Sequence, residues 1–133
     1  MTFRVQPIIL ADHTRLPGRF FDDAISYAFY PVDLHTREGV KPEPLKPGTL
    51  PTIPLRALIP KGSRDLIVAG RCVSSDRLAN SGLRVQAPCM GMGQAAGVAA
   101  ALAAKSGKTP LEVPLGEIHD RLREHGQIVP ERA

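Results

Sequence analysis

The chain has 133 residues, which suits one domain with one core. Apolar residues make up 43% and charged residues 23%, an ordinary globular balance that excludes a disordered or fibrous chain. The net charge of +4 arises from 17 Lys and Arg scattered without a basic run or interleaved aromatics, so no nucleic-acid footprint is expected.

Residues 3–10 (FRVQPIIL) read as a strand that Pro7 places at an edge or a bend. Residues 13–19 read as a loop, with Asp22 and Asp23 as turn residues before a second strand over 24–34 (AISYAFYPVDL). Residues 35–52 carry Gly39, Pro42, Pro44, Pro47, Gly48 and Pro51, and are expected to be one long loop, either functional or crossing between lobes. A short strand or extended segment at 53–59 and a turn at 60–65 follow. LIVA, 66–69, is a continuous apolar run before Gly70, as in a parallel strand buried on both faces.

Residues 74–82 are small and polar and read as loop. A helix is expected from about Gly91 to Lys105, closed by Gly107. Thr109-Pro110-Leu111-Glu112 has the form of a capping box that Pro114 limits to one turn. A last helix runs from about Leu115 to His125, with Leu115, Ile118 and Leu122 on one face and Gly126 as its stop. His119 and His125 read as solvated.

The fold class is thus mixed α and β, with about four strands and two main helices. Aromatics are few and Trp is absent, so the core is built from Leu, Ile, Val and Ala. Cys72 and Cys89 have no CxxC or Cys/His ligand spacing, so no metal site is expected. A disulfide is left open, although a reducing, cytoplasmic setting is the simpler reading. The N-terminus has no signal-peptide pattern, and no segment reaches the roughly 18 to 20 apolar residues that span a bilayer, so no membrane partner is expected.

The chemistry concentrates in Gly91-Met92-Gly93-Gln94-Ala95-Ala96-Gly97. A helix that starts here would present unpaired N–H groups and partial positive charge, with glycines to admit an anion or a carbonyl oxygen. Gly93, Gly97 and Ala101 also form a stripe against which another backbone can pack. The spacing GxGxxxG differs from the dinucleotide fingerprint, and it does not directly follow a strand.

The longer stretch from Leu66 resembles the C-terminal end of bacterial FAD-dependent oxidoreductases of the glutathione-reductase-like class. The resemblance rests on Leu66, Val68, Ala69, Gly70, Arg71, Ser74, Arg84, Val85, Cys89, Met90 and Gly93 to Gly97. IPLRALIPKGSRDL (53–66), YPVDLH (30–35) and EIHDRLREHG (117–126) are similar to neighbouring parts of that family. The resemblance implies that residues 1–60 are substrate-domain strands with a proline-rich loop, and that 61–133 close a doubly wound FAD-binding domain. It implies further that Gly70 and Arg71 lie at the ribityl chain. The N–H groups around Gly93, Gln94 and Ala95 would stabilise negative charge on reduced flavin.

The family's opening βαβ unit with GxGxxG has no counterpart here, so the adenosine half of FAD lacks a site and the chain reads as a fragment that is incomplete as an enzyme. Arg84 holds a flavin phosphate or substrate carboxylate, or else makes a surface salt bridge. Arg71 contacts cofactor, or else satisfies loop carbonyls. Cys89 reads as a small buried hydrophobe. His35 is the weak candidate for a catalytic acid or base, against a loop-capping role. The competing functions are a non-catalytic self-associating module and a subunit that completes an FAD site with another chain. Leu66–Ala69 and an all-round apolar helix, left without covering elements, lead to the expectation of a homodimer. The substrate is not legible.

Overall fold

The computed structural model describes residues 20–40, 42–48 and 50–131. The expected strand at 3–10 and the loop at 13–19 lie outside them. Among the described residues there are four short strands and three α-helices, in two two-stranded sheets, which is the mixed α and β class expected.

The first strand, β1 (Ala24–Tyr27), pairs antiparallel with β4 (Thr52–Pro54), Ser26 opposite Ile53 and Tyr27 opposite Thr52. The register slips between Ala24 and Ser26. Asp22 and Asp23 form the turn before β1, and Asp23 pairs with Arg56. The strand expected over 24–34 ends at Tyr27, apart from one bridge between Val32 and Glu43.

The long loop expected at 35–52 is not structureless. It holds a hairpin of β2 (His35–Thr36) and β3 (Gly39–Val40). Gly39 turns it at φ 110°, in the left-handed region glycine favours, and Thr36 Oγ1 donates to Gly39 O at 2.9 Å. After β4 the chain makes a 3₁₀ turn, Leu55–Leu58, within the stretch expected to be a short strand or extended segment through 59.

Leu66–Ala69 is not a strand. A single ladder-like bond, Val68 N to Leu58 O at 2.8 Å, holds it, and Leu66 is 43% exposed. A strand buried on both faces requires paired neighbours, and the described residues offer none.

Residues expected to be loop form α1 (Arg77–Leu83). Asp76 caps it, accepting from Ala79 N at 2.9 Å. Then α2 (Gln86–Ser106) begins well before Gly91. Pro88 is tolerated because it lies in the first turn, where its missing N–H would have had no intrahelical partner. As expected, Gly107 ends α2 in the left-handed conformation at φ 66°, and Lys108 N reaches back to Ala103 O at 3.0 Å. The box at 109–112 forms one turn, with Thr109 N donating to the Glu112 carboxylate at 2.7 Å. The last helix, α3 (Leu115–Glu124), is followed by Gly126 at φ 77°.

One core joins these pieces. Met92, Ala95, Ala96, Ala99 and Ala103 form the buried stripe of α2, at spacings of three and four. They meet Ile25 and Ile53 from the small sheet, with Ile118 and Leu122 from α3 in the same cluster. By length and composition α2 is apolar enough to cross a bilayer, but its buried stripe is part of this core.

Candidate functional site

The start of α2 gathers three of the expected residues. Gly70 and Arg71 open a short 3₁₀ turn, Gly70–Cys72, which packs on α2. Arg71 Nε donates to Arg84 O at 2.8 Å, immediately before the helix. Arg84 donates from Nη2 to Asp33 O at 3.1 Å and to Asp33 Oδ2 at 3.2 Å. His35 Nε2 lies 3.6 Å from the same carboxylate oxygen.

The non-cofactor alternatives for both arginines are therefore visible: Arg71 satisfies a loop carbonyl and Arg84 makes an ion pair. Arg71 nevertheless stays exposed, with Nη groups that have no partner among the described residues. Asp33 is more enclosed, and its Oδ1 is buried with no hydrogen-bond partner. His35 is exposed on the hairpin, and its neighbour Asp33 is already paired with Arg84.

The helix end itself is bare. Val85 is the N-cap residue, no side chain caps the first turn, and no acidic residue stands in it. Cys89 N already bonds to Val85 O at 3.2 Å and Pro88 has no N–H, so the unpaired first-turn donors are those of Gln86 and Ala87. This corrects the expected location of the positive end. Gly93, Gln94 and Ala95 lie about two turns in, where N–H groups point at carbonyls of the preceding turn. Ala95 is fully buried in the core, while Gly93 is exposed. Gln94 Nε2 donates to His125 O at 3.2 Å.

Gly91 has a packing role that its motif does not suggest. A Cβ there would overlap Ser26 Oγ and lie 3.2 Å from Ser26 Cβ, so its absence lets α2 sit close on β1. At Gly93 and Gly97 a Cβ would meet nothing within 4 Å. The stripe of Gly93, Gly97 and Ala101 is thus open, with no backbone packed on it among the described residues. Cys89 is half-buried, its Sγ 3.4 Å from Leu83 O, and both cysteines are free thiols. His119, read as solvated, is half-buried with Nε2 2.8 Å from Ala24 O. His125 is exposed, as expected.

A second concavity lies along the side of α2. It is about 770 Å³ and open on one face. Its rim carries Phe29, Leu50, Met90 and Ile128, and deeper positions include Ser26, Gly91 and Gln127. Gly70, Arg71 and Arg84 do not line it, whereas Gln94 does. Neither Asp33 nor Gln127 was singled out from the sequence. Their partners, Arg84 and Ile25 O, are far away along the chain, and no local motif marks them.

No curated protein and no solved structure matches the chain. One family model does, that of the FAD dependent oxidoreductases, over residues 5–122. That span takes in β1, the arginine pair, the bare start of α2 and most of α3, so the chain belongs to the FAD dependent oxidoreductase family.

Proposed function

We propose that this chain supplies the flavin end of an FAD site and that the pyrophosphate and adenosine end comes from residues outside it. The observation that carries this reading is the uncapped start of α2 beside Gly70 and Arg71. The N–H groups of Gln86 and Ala87 suit the carbonyl-bearing edge of a flavin ring. The exposed guanidinium of Arg71 adds positive charge next to them. A Cβ at Gly70 would meet nothing within 4 Å, so a flat group can approach the backbone there.

The motif that holds the pyrophosphate in a doubly wound domain, GxGxxG between a strand and a helix, does not occur in the sequence. FAD, when bound, supplies the electron acceptor. The chain's own part is electrostatic: donors fixed in a folded helix stabilise negative charge without having to reorganise. Arg84, tied to Asp33, holds the loop whose carbonyl orients Arg71.

The test is a titration of the purified chain with FMN, FAD and ADP. The chain should leave gel filtration colourless, bind FMN and FAD weakly and equally, and show no displacement by ADP. Flavin retained in stoichiometric amount after gel filtration, or displacement of FAD by ADP, refutes the division of the site.

A second reading is self-association, favoured by the exposed face of Gly93, Gly97 and Ala101 on α2. Light scattering at micromolar concentration should then give a mass well above 14.3 kDa, and a monomer refutes it. Two free thiols fit a reducing, cytoplasmic setting for either reading.

A further inference from the structure

We propose that the groove between α2 and α3 is a binding site for a small organic acid, a carboxylate on a short aliphatic chain. The groove lies about three turns beyond the start of α2, and none of Gly70, Arg71, Arg84, Gln86 and Ala87 lines it, so it does not rest on the cofactor reading.

Three observations lead to that chemistry. First, the groove holds about 350 Å³, at the low end of the usual range for small-molecule sites of about 300–1,000 Å³. Its floor is Gly97, Val98, Ala101 and Leu102 of α2. Val98 and Leu102 are half-buried against the core, while Gly97 and Ala101 are exposed. A Cβ at Gly97 would meet nothing within 4 Å, so the floor is open there. An aliphatic chain laid on it would cover apolar surface that now faces water.

Second, the polar side chains that line the groove are Lys105, Arg121 and His125, with no carboxylate among them. Arg121 and His125 stand four apart, in the last turn of α3 and at its C-cap, and so share a face. Gln94 Nε2 donates to His125 O at 3.2 Å, which places this pair at the Gly97 end. Lys105 stands about 12 Å further along α2, where its stem extends the apolar wall and its ammonium keeps that end positive.

Third, the donors are unspent. The side chains of Lys105 and His125 have no hydrogen-bonding or ionic partner among the described residues. Arg121 uses Nη1 on Glu124 Oε2 at 2.6 Å and keeps Nε and Nη2. Arg123, by contrast, is paired with both Asp120 and Glu131. The carbonyls that would repel an anion at this end of α3 are also taken: Arg121 O by His125 N, Arg123 O by Gly126 N and Leu122 O by Gln127 N. A guanidinium is always charged and an imidazole N–H donates in either protonation state, so a carboxylate finds two donors side by side.

The experiment is an NMR titration of the full chain with hexanoate, 1-hexanol, acetate and inorganic phosphate. Hexanoate should bind saturably, one per chain, and shift the amides of Gly97, Ala101 and Arg121. Hexanol lacks the charge and acetate lacks the tail, and each should bind at least about tenfold more weakly. Gly97→Val fills the open floor, and Arg121→Gln removes the charged donor. Each should weaken hexanoate at least about tenfold while circular dichroism stays unchanged.

Absence of saturable hexanoate binding overturns the proposal, as does hexanoate binding that Arg121→Gln leaves intact. Phosphate binding as tight as that of hexanoate overturns it in favour of a general anion patch, and equal binding of hexanol overturns it in favour of an apolar groove alone. Gly97 and Ala101 also belong to the face of the self-association reading, so light scattering accompanies the titration. A dimer that Gly97→Val separates, with no hexanoate bound, would make the groove an interface between copies and overturn the proposal.

Discussion

Replacing Gly91 and Gly93 separately by Ala distinguishes the two roles glycine plays in α2. Both positions lie inside the helix, where Gly→Ala alone gains about 1 kcal/mol of helix propensity. At Gly93 the added methyl meets nothing within 4 Å, so the gain should appear undiminished. At Gly91 the methyl overlaps Ser26 Oγ and sits 3.2 Å from Ser26 Cβ. Rotation of the hydroxyl relieves only the first of these. The second requires α2 and β1 to move apart, and overpacking of this kind costs about 1–3 kcal/mol. The net for Gly91→Ala is therefore between no change and a loss of about 2 kcal/mol, and the two variants should differ by about 1–3 kcal/mol. With a urea slope of about 2 kcal/mol/M for a small protein, their midpoints should separate by about 0.5–1.5 M. Ser26→Gly in the Gly91→Ala background removes both obstructing atoms and should recover more than independent effects would give. If Gly91→Ala raises the midpoint as much as Gly93→Ala, the close approach of helix and strand is not what Gly91 provides.

Asp76→Ala removes the N-cap of α1 and should cost about 1 kcal/mol in urea unfolding, with Asp76→Asn nearly neutral. Arg84→Met should cost about 1–3 kcal/mol by leaving Asp33 with neither carboxylate oxygen paired to a cation, and Asp33→Asn in the same background should restore part of it; no recovery refutes the pairing. Donation from Thr109 N holds the Glu112 carboxyl below its ordinary value. A depressed carboxyl stabilises the fold above its unfolded value and loses that contribution as pH falls through its folded value, so an NMR titration should place Glu112 below a free glutamate, and Thr109→Pro, which removes the donor, should diminish the shift.

The parts of the fold that were legible in the sequence are those where one residue decides the backbone. Gly107 and Gly126 stop their helices at positive φ, and Ile118 and Leu122 carry the apolar spacing of α3 onto the core. The start of α2 was misplaced because the glycines at 91 and 93 read as the opening of a helix. In the structure they lie inside it, beyond a first turn that already holds Pro88. The helix α1 was hidden by a small, polar composition, and only the Asp76 cap marks its start. Leu66–Ala69 has a strand's composition without a strand's partners, a fact that lies in other parts of the chain. The site follows the same rule. Arg71 and Arg84 stand out in a local pattern, but Asp33 and Gln127 acquire their roles through partners remote in sequence.

The packing of α2 on β1 has a consequence for how the chain acquires its shape during synthesis. Ile25 and Ile53 emerge early, but the side chains that cover them, Met92, Ala95 and Ala99, emerge only after a long intervening stretch. Among the described residues no helix lies against the small sheet until α2 is complete, and a two-stranded sheet is marginal by itself in water. The closing contacts are long-range, so their loop entropy must be overcome before burial offsets it. A nascent chain halted before Met92 would therefore hold Ile25 and Ile53 exposed, open to protease and to other unfinished chains, and protection would arrive in one step as α2 clears the ribosome.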